Sequence, residues 1–248
     1  MKIIIAPAKK MIVDTDTFAA DDRPQYLDRT QRILQQLRQL SYAEAKALWH
    51  CSDKLAQSNY DWLQKLDLTR QLTPALLAFS GIQYQYMAPD LFTAPALDYV
   101  RANLRILSGF YGILRPFDGV VPYRLEMQSR LQLDGTRNLY DFWGPRLYQA
   151  LTPVPEPIIN LASQEYAKTI IPYLAPSQPL VTVVFGSLVD GRVKTKATLA
   201  KMARGEMVRF LAEHQAQNIR DVTAFDHPDW IYSAERSTSD KLVFIYQK

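Results

Sequence analysis

The sequence predicts an α+β protein, a single mixed domain in which helices surround a small sheet. Three observations carry this. Runs suited to buried strands are few and scattered, at Lys2–Ile5, Ile158–Leu161, Leu180–Phe185 and Leu242–Tyr246. The stretches between them carry helical spacing and helix-start signals. No internal repeat, low-complexity tract or long linker divides the 248 residues, a length that buries a substantial core. The order of the strands does not follow from this pattern.

In chain order, Lys2–Ile5 reads as a buried strand ended by Pro7, and residues 11–24 as irregular and acidic. Leu27, Ile33, Leu34, Leu37 and Leu40 lie near helical spacing, so residues 24–40 read as helix. Ser41 followed by Glu44 is a capping box that starts a second helix, and Ser52-Asp53 divides it from a third running past Leu63. Thr73-Pro74 opens a helical region by the cap-then-proline rule, with Gly81 ending or bending it. Residues 95–106 read as helix, as do residues 138–151 around Trp143. Ser163 suits the N-cap of a helix through Ile170. Residues 195–215 form a long amphipathic helix. Prolines 153, 155, 157, 172, 176 and 179 mark tight connections.

Composition narrows the function classes. Hydrophobic residues at 48% and charged residues at 22% are ordinary for a globular protein. The net charge of +4 and pI of about 9.0 are a mild basic excess. Cys51 is the lone cysteine, which excludes an intramolecular disulfide and suits a reducing cytoplasm. The apolar run after the N-terminus, Ile3–Ala6, is far short of a signal-peptide core, and no run approaches the roughly 20 residues of a membrane span. A cytoplasmic protein without a membrane partner is expected. The histidines, His50, His214 and His227, lack metal-ligand spacing, so no metal site is assigned, and no cofactor-binding motif such as a Walker loop or GxGxxG is present.

Three segments carry candidate chemistry. The stretch from Leu107 to Met127 combines Gly109, Gly112 and Gly119 with Pro116, Pro122, Arg115 and Arg124, and fits neither an ordinary helix nor an ordinary strand. Its Ser108, Gly109 and Gly112 suit either a hairpin that points backbone N–H groups at a phosphate or a structural turn. The second segment holds Arg192, Lys194, Lys196, Lys201, Arg204 and Arg209 against one acid, Glu206. Read as a helix, it sets Lys194, Lys201 and Arg204 on one side, a stripe suited to a phosphate backbone or simply to solvent. Gly205 inside this helix costs roughly 1 kcal/mol relative to alanine, which suits close backbone approach or tight packing. In the third, Asn160, Ser163 and Glu165 follow a short strand, a common site location. Glu126 and Glu165 are an acid–base pair if the fold brings them together, with Asn160 orienting a substrate.

The blocks IIIAPAK (3–9), SDKLA (52–56), PALLAFSG (74–81), LRILSGFYGILRPFDGVVPYRLEM (104–127), LYDFWG (139–144), INLASQEYAK (159–168), KMARGEMVRF (201–210) and KLVFIY (241–246) occur in one order along nearly the whole chain. Together they resemble the peroxide stress protein YaaA family, of UPF0246 type. The resemblance implies a cytoplasmic bacterial protein of the oxidative-stress response, linked to lower free intracellular iron and to DNA repair. It also implies the family's own single-domain fold, with a positively charged cleft and a helix–hairpin–helix element, for which the Ser52 and Gly109 regions are the two candidates. The implied partner is double-stranded or structured DNA. Basic residues within the blocks are Lys9, Lys54, Arg105, Arg115, Arg124, Lys168, Lys201, Arg204 and Arg209, whereas Lys194 and Lys196 rest on charge patterning alone. Arg115 and Arg124 are expected to face the cleft together with the helix from Lys201 to Arg209. The chain departs from the family pattern at Tyr84-Gln85-Tyr86-Met87, where a glycine is usual, and at Asp229-Trp230, where Gly-Tyr is usual. An enzyme acting on a nucleotide, nucleobase or nucleic acid is the alternative, with arginine clamps and Glu126, Glu165 and Asn160 at its centre.

Overall fold

The computed structural model describes residues 1–151 and 156–247. Pro153 and Pro155, expected to mark a tight connection, lie outside the described residues. The strands are β1 (Lys2–Ile5), β2 (Thr73–Pro74), β3 (Leu104–Ser108), β4 (Gly112–Leu114), β5 (Gly119–Val120), β6 (Ile158–Leu161), β7 (Leu180–Val189), β8 (Arg192–Lys194), β9 (Trp230–Tyr232) and β10 (Lys241–Tyr246). Among the described residues, the main sheet runs β4-β3-β1-β6-β7-β10-β9, with β8 paired to β7. Its centre, β3-β1-β6-β7-β10, is wholly parallel, and antiparallel partners close both edges. Central strands buried on both faces read as continuous apolar runs. Ile3, Ile4 and Ile5 accordingly have no exposed surface, nor do Ile158, Ile159 and Leu161. The α+β expectation holds at the level of one mixed domain, and the sheet is mostly parallel.

Numbered by appearance in the chain, the five parallel strands stand in the order 2-1-3-4-5. The direction of winding reverses between β1 and β6, where the chain leaves β1 toward β3 on one side and later returns to β6 on the other. Open parallel sheets bind ligands in the crevice at such a reversal, beyond the carboxyl ends of the strands. Register aligns those ends, since Ile5 lies opposite Leu161. The segments leaving β1 at Ala6 and β6 at Ala162 therefore run side by side.

The helices follow the sequence closely in the first part of the chain. They are α1 (Leu27–Gln39), α2 (Tyr42–Trp49) and α3 (Asp53–Lys65), and the capping box of Ser41 with Glu44 has both of its hydrogen bonds. Beyond them the expected elements are cut shorter. Thr73-Pro74 is extended and pairs with Gly119–Val120, so the helix begins only at α4 (Ala75–Ala78). Gly81 precedes α5 (Ile82–Met87) rather than bending a longer helix. The helix expected over residues 95–106 is α6 (Ala94–Asn103), and Leu104–Ile106 instead pairs with Ile3–Ile5 as β3. A short apolar run suits helix and buried strand equally, and here the vacant edge of β1 decides. Residues 138–151 divide into α7 (Leu139–Trp143) and α8 (Arg146–Gln149) at Gly144, whose φ of +53° and following proline stop the helix. The helix after β6 is one turn, α9 (Gln164–Ala167), and Ser163 makes no side-chain cap bond. The amphipathic helix appears as α10 (Ala197–Glu213), followed by α11 (Ile219–Thr223). No helix among the described residues is long and apolar enough to cross a membrane.

Candidate functional site

Helix α10 is held by its glycine. A Cβ built on Gly205 would lie 2.1 Å from the Gln83 carbonyl oxygen and 2.8 Å from the Met87 nitrogen. Both are backbone atoms of α5, so the two helices touch main chain to main chain. Close helix packing is thus the use of this glycine. Gln83 and Arg204, on the two helices so joined, both line one cavity.

The stretch from Leu107 to Met127 is also built by close approach. Its first part is a β-hairpin, with Leu107 opposite Ile113 and Ser108 opposite Gly112. The expectation that it contains no ordinary strand is corrected here. The Gly109 region is likewise not part of a helix–hairpin–helix, whereas His50–Ser52 does join two packed helices, α2 and α3. The hairpin faces inward. Ser108 Oγ accepts hydrogen bonds from the Phe110 and Tyr111 N–H groups and lies 2.6 Å from the Tyr123 hydroxyl. Gly112, at φ +79°, lies where a Cβ would strike the Trp143 ring. A Cβ on Gly109 would meet the Leu125 carbonyl at 2.8 Å. Ser108, Gly109 and Gly112 therefore form a structural turn rather than a phosphate cradle, and Gly109 lets the backbone of residues 125–127 pass closely over it.

That backbone carries Arg124 and Glu126 into a cavity of about 450 Å³ at the sheet's reversal point. Ala6–Lys10 after β1 and Ser163, Glu165 and Tyr166 after β6 form one side. Ser80–Tyr84 with Lys201 and Arg204 form the other. Lys9, Lys10 and Lys201 are exposed at the rim, while Gln83, Tyr84, Leu125 and Tyr166 are buried in the walls. A cavity of this size is in the range of small-molecule sites.

The charges are unevenly satisfied. Glu126 is paired with Lys9 at 3.1 Å and with Arg124 at 3.4 Å. Glu165 accepts a hydrogen bond from the Gln128 N–H at 3.1 Å. Burial raises the Glu165 carboxyl above its ordinary pKa, the Gln128 hydrogen bond opposes this, and the nearby Glu126 charge adds to the rise. Burial alone lowers the Arg204 guanidinium, with no charged partner acting on it. The Nε atoms of Arg204 and Arg124 and the Nε2 of Gln83 are buried without hydrogen-bond partners. Gln83 is only 7% exposed. Unsatisfied buried donors cost about 1–3 kcal/mol each, more when charged, unless a ligand supplies acceptors. Tyr84 and Tyr166 are raised well above their ordinary pKa by burial and stay protonated.

Of the sequence-predicted residues, the fold unites Lys9, Arg124, Lys201, Arg204, Glu126 and Glu165. The others lie elsewhere. Arg115 is occupied by Asp118, with its Nη2 at 2.9 Å, and by Asp22 at 3.4 Å, so the expectation that it faces the cleft is corrected. Arg105 donates to the carbonyls of Leu104 and Arg101. Arg192–Lys194 is strand β8 rather than helix, which breaks the predicted stripe, and Lys194 lies 3.8 Å from Asp190. Lys196 is the exposed N-cap of α10, and Lys54 and Lys168 are exposed outside the cavity. Arg209 pairs with Glu213 at 2.8 Å. Asn160 is buried just below the site. Its Oδ1 accepts from the Ala162 N–H and its Nδ2 donates to Thr182, so it shapes the turn that carries Glu165. Lys10 and Gln83 were missed. The sequence signal for Lys10 is its place beside Lys9 just past a strand end, whereas a glutamine within a short helix carries none. Among the described residues, no group of three or more His, Cys, Asp or Glu side chains could hold a metal ion.

Comparison with known proteins identifies the family. A family model described as peroxide stress protein YaaA matches residues 1–236. A UPF0246 protein of Lactiplantibacillus plantarum is 71% identical over 247 residues, covering 100% of both chains. Similar UPF0246 proteins come from Pediococcus pentosaceus, 57% identical over 99% of this chain and 98% of the relative, and Agathobacter rectalis, 47% identical over 98% of each. With matches spanning nearly its whole length, the chain belongs to the peroxide stress protein YaaA family.

Proposed function

We propose that this chain serves in peroxide stress, in the cytoplasm, by binding nucleic-acid phosphates at the pocket between β1 and β6. The observation that carries the reading is Arg204, a partly buried cavity residue whose buried Nε has no hydrogen-bond partner and whose guanidinium has no acidic partner. An anionic ligand supplies what it lacks. Lys9, Lys10 and Lys201 at the rim add positive charge for a DNA strand, double-stranded or structured, that lies across the opening. Phosphate contacts position a strand without reading its sequence, so binding is led by shape and charge. The helix pair α2–α3 is the part of the fold best suited to the helix–hairpin–helix role, with Lys54 exposed in its first turn. The link to intracellular iron is a downstream effect in this reading.

The test is titration of duplex and junction DNA at rising salt. Affinity is expected to fall steeply as counterions are released. Arg204→Glu is expected to weaken every sequence about equally. Salt-insensitive or absent binding overturns the reading.

Glu126 and Glu165 in one pocket favour a second reading. One carboxyl is held by two cations, and the other is driven by burial toward its protonated form. Two environments of this kind separate acid from base in many enzymes. A nucleotide or nucleic-acid product that disappears in both Glu126→Gln and Glu165→Gln would support catalysis. Absence of turnover across nucleotides, nucleobases and DNA would count against it.

A further inference from the structure

We infer that the pocket takes a single nucleotide unit with a terminal phosphate, seated against Arg204, Lys201 and Gln83, with its base or sugar toward Glu165. The inference rests on the phosphate-binding reading above and specifies its ligand.

The pocket has two unlike ends. At the α5–α10 end, the Arg204 Nε and Gln83 Nε2 are buried donors without acceptors, and the Lys201 ammonium stands exposed at the rim above them. Gly205 brings the backbone of Gln83 against α10, and the Gln83 and Arg204 side chains line the same cavity. Several converging donors suit the oxygens of a phosphate monoester. The other side carries Glu126, already paired with Lys9 and Arg124, and Glu165, whose carboxyl burial drives toward its neutral form. The charges on that side are thus matched or quenched, whereas Arg204 has no acidic partner.

This asymmetry selects the ligand. A polynucleotide running through the cavity would set its next phosphate against a wall whose Lys9 and Arg124 are already paired with Glu126. A ligand with all its negative charge at one end places that charge on Arg204 and Lys201 instead. A free nucleoside monophosphate and the phosphorylated end of a strand both meet this condition. Their neutral end carries the acceptors and donors that a carboxyl group can bind. The volume of about 450 Å³ suits one such unit.

The experiment uses the full chain and calorimetry. The probes are the four deoxynucleoside 5′-monophosphates, the matching nucleosides, inorganic phosphate, and a short single strand with and without a 5′-phosphate. At least one monophosphate, or the phosphorylated strand, is expected to bind at least about tenfold more tightly than both its phosphate-free counterpart and inorganic phosphate. Binding of the monophosphates assigns the free nucleotide as ligand, and binding of the phosphorylated strand alone assigns a strand end. Arg204→Gln is expected to lower that affinity by about tenfold or more, with native folding checked by thermal melting. Lys201→Glu, at an exposed position, is expected to do the same if Arg204→Gln folds poorly. Lys241→Glu, exposed at the first residue of β10 and outside the cavity lining, is expected to change nothing. Equal affinity for inorganic phosphate, no binding of any probe at millimolar concentration, or unchanged affinity in folded Arg204→Gln or Lys201→Glu overturns the inference. Duplex binding without monophosphate or strand-end binding removes this inference and leaves the broader reading. Monophosphate binding without duplex binding does the reverse.

Discussion

Replacing Gly205 by alanine sets two local effects against one tertiary effect. Alanine is the better helix former by about 1 kcal/mol and also stiffens the unfolded chain. A surface position in a helix would therefore gain stability. At Gly205 the new methyl would lie 2.1 Å from the Gln83 carbonyl oxygen and 2.8 Å from the Met87 nitrogen. Carbon–oxygen contacts lie ordinarily beyond about 3.3 Å, so α5 has to retreat by roughly 1 Å. The obstructing atoms are main chain and cannot turn aside as a side chain would. Overpacking of this kind costs about 1–3 kcal/mol and sometimes more, and it outweighs the propensity gain. A main-chain clash at 2.1 Å belongs at the upper end of that range. A cost of about 3 kcal/mol less the gain of about 1 leaves an expected net loss of about 2 kcal/mol, a fall in Tm of roughly 4–8 °C for a domain of this size. Urea and thermal unfolding followed by circular dichroism measure it. The same retreat shifts the cavity wall that carries Gln83, so ligand affinity should fall as well. Unchanged or increased stability would refute the main-chain contact between α5 and α10 and with it the account of the pocket wall.

Three other substitutions test the remaining assignments. Arg115→Gln removes the guanidinium from Asp118, which is 1% exposed. The half-exposed arginine discounts the cost of a broken buried pair, leaving a loss of about 1–3 kcal/mol. DNA affinity should be unchanged, and a lowered affinity in folded protein would return Arg115 to the binding surface. Ser108→Ala strips partners from the Phe110 and Tyr111 N–H groups and the Tyr123 hydroxyl, with an expected loss of about 2–4 kcal/mol in urea denaturation. Glu165 has a native pKa raised above 4.5, so the folded state holds its proton more tightly than the unfolded chain. Its contribution to stability is present below about that pH and is lost as pH rises through the raised native value. Glu165→Gln cannot ionise, so the stability of wild type relative to this variant should decline across that window and then level off. Parallel stability profiles from pH 4 to about 7.5 would show that Glu165 is not raised.

The first helices were legible because their signals are local. The capping box at Ser41–Glu44 and the apolar spacing from Leu27 to Leu37 need only neighbouring residues to act. Helix α10 was legible in the same way, as were the apolar strands β1, β6, β7 and β10. Leu104–Ile106 was misread as helix because a short apolar run has no period of its own. Its strand state comes from pairing with Ile3–Ile5, a partner distant in sequence. The expected stripe from Lys194 to Arg204 failed for a related reason. Charge spacing presumed one helix, and the β7–β8 pairing ended it before Lys196.

The site divides along the same line. The sequence by itself determined the family, the helical and strand content, and a set of charged residues in which Lys9, Arg124, Lys201, Arg204, Glu126 and Glu165 were already named. Side-chain chemistry is written in the residue, so that much needed no fold. Only the tertiary structure decided which of those charges share a cavity. Arg115 and Arg124 stand nine positions apart in one loop, yet Asp118 holds the first while the second enters the pocket. The roles of the glycines at 109 and 205 were equally undecidable beforehand. A glycine's meaning lies in what comes close to it, and here that is the backbone of residues 125–127 in one case and of Gln83 to Met87 in the other. Burial, pairing and close approach belong to pairs of distant residues, and such pairs exist only once the chain has folded.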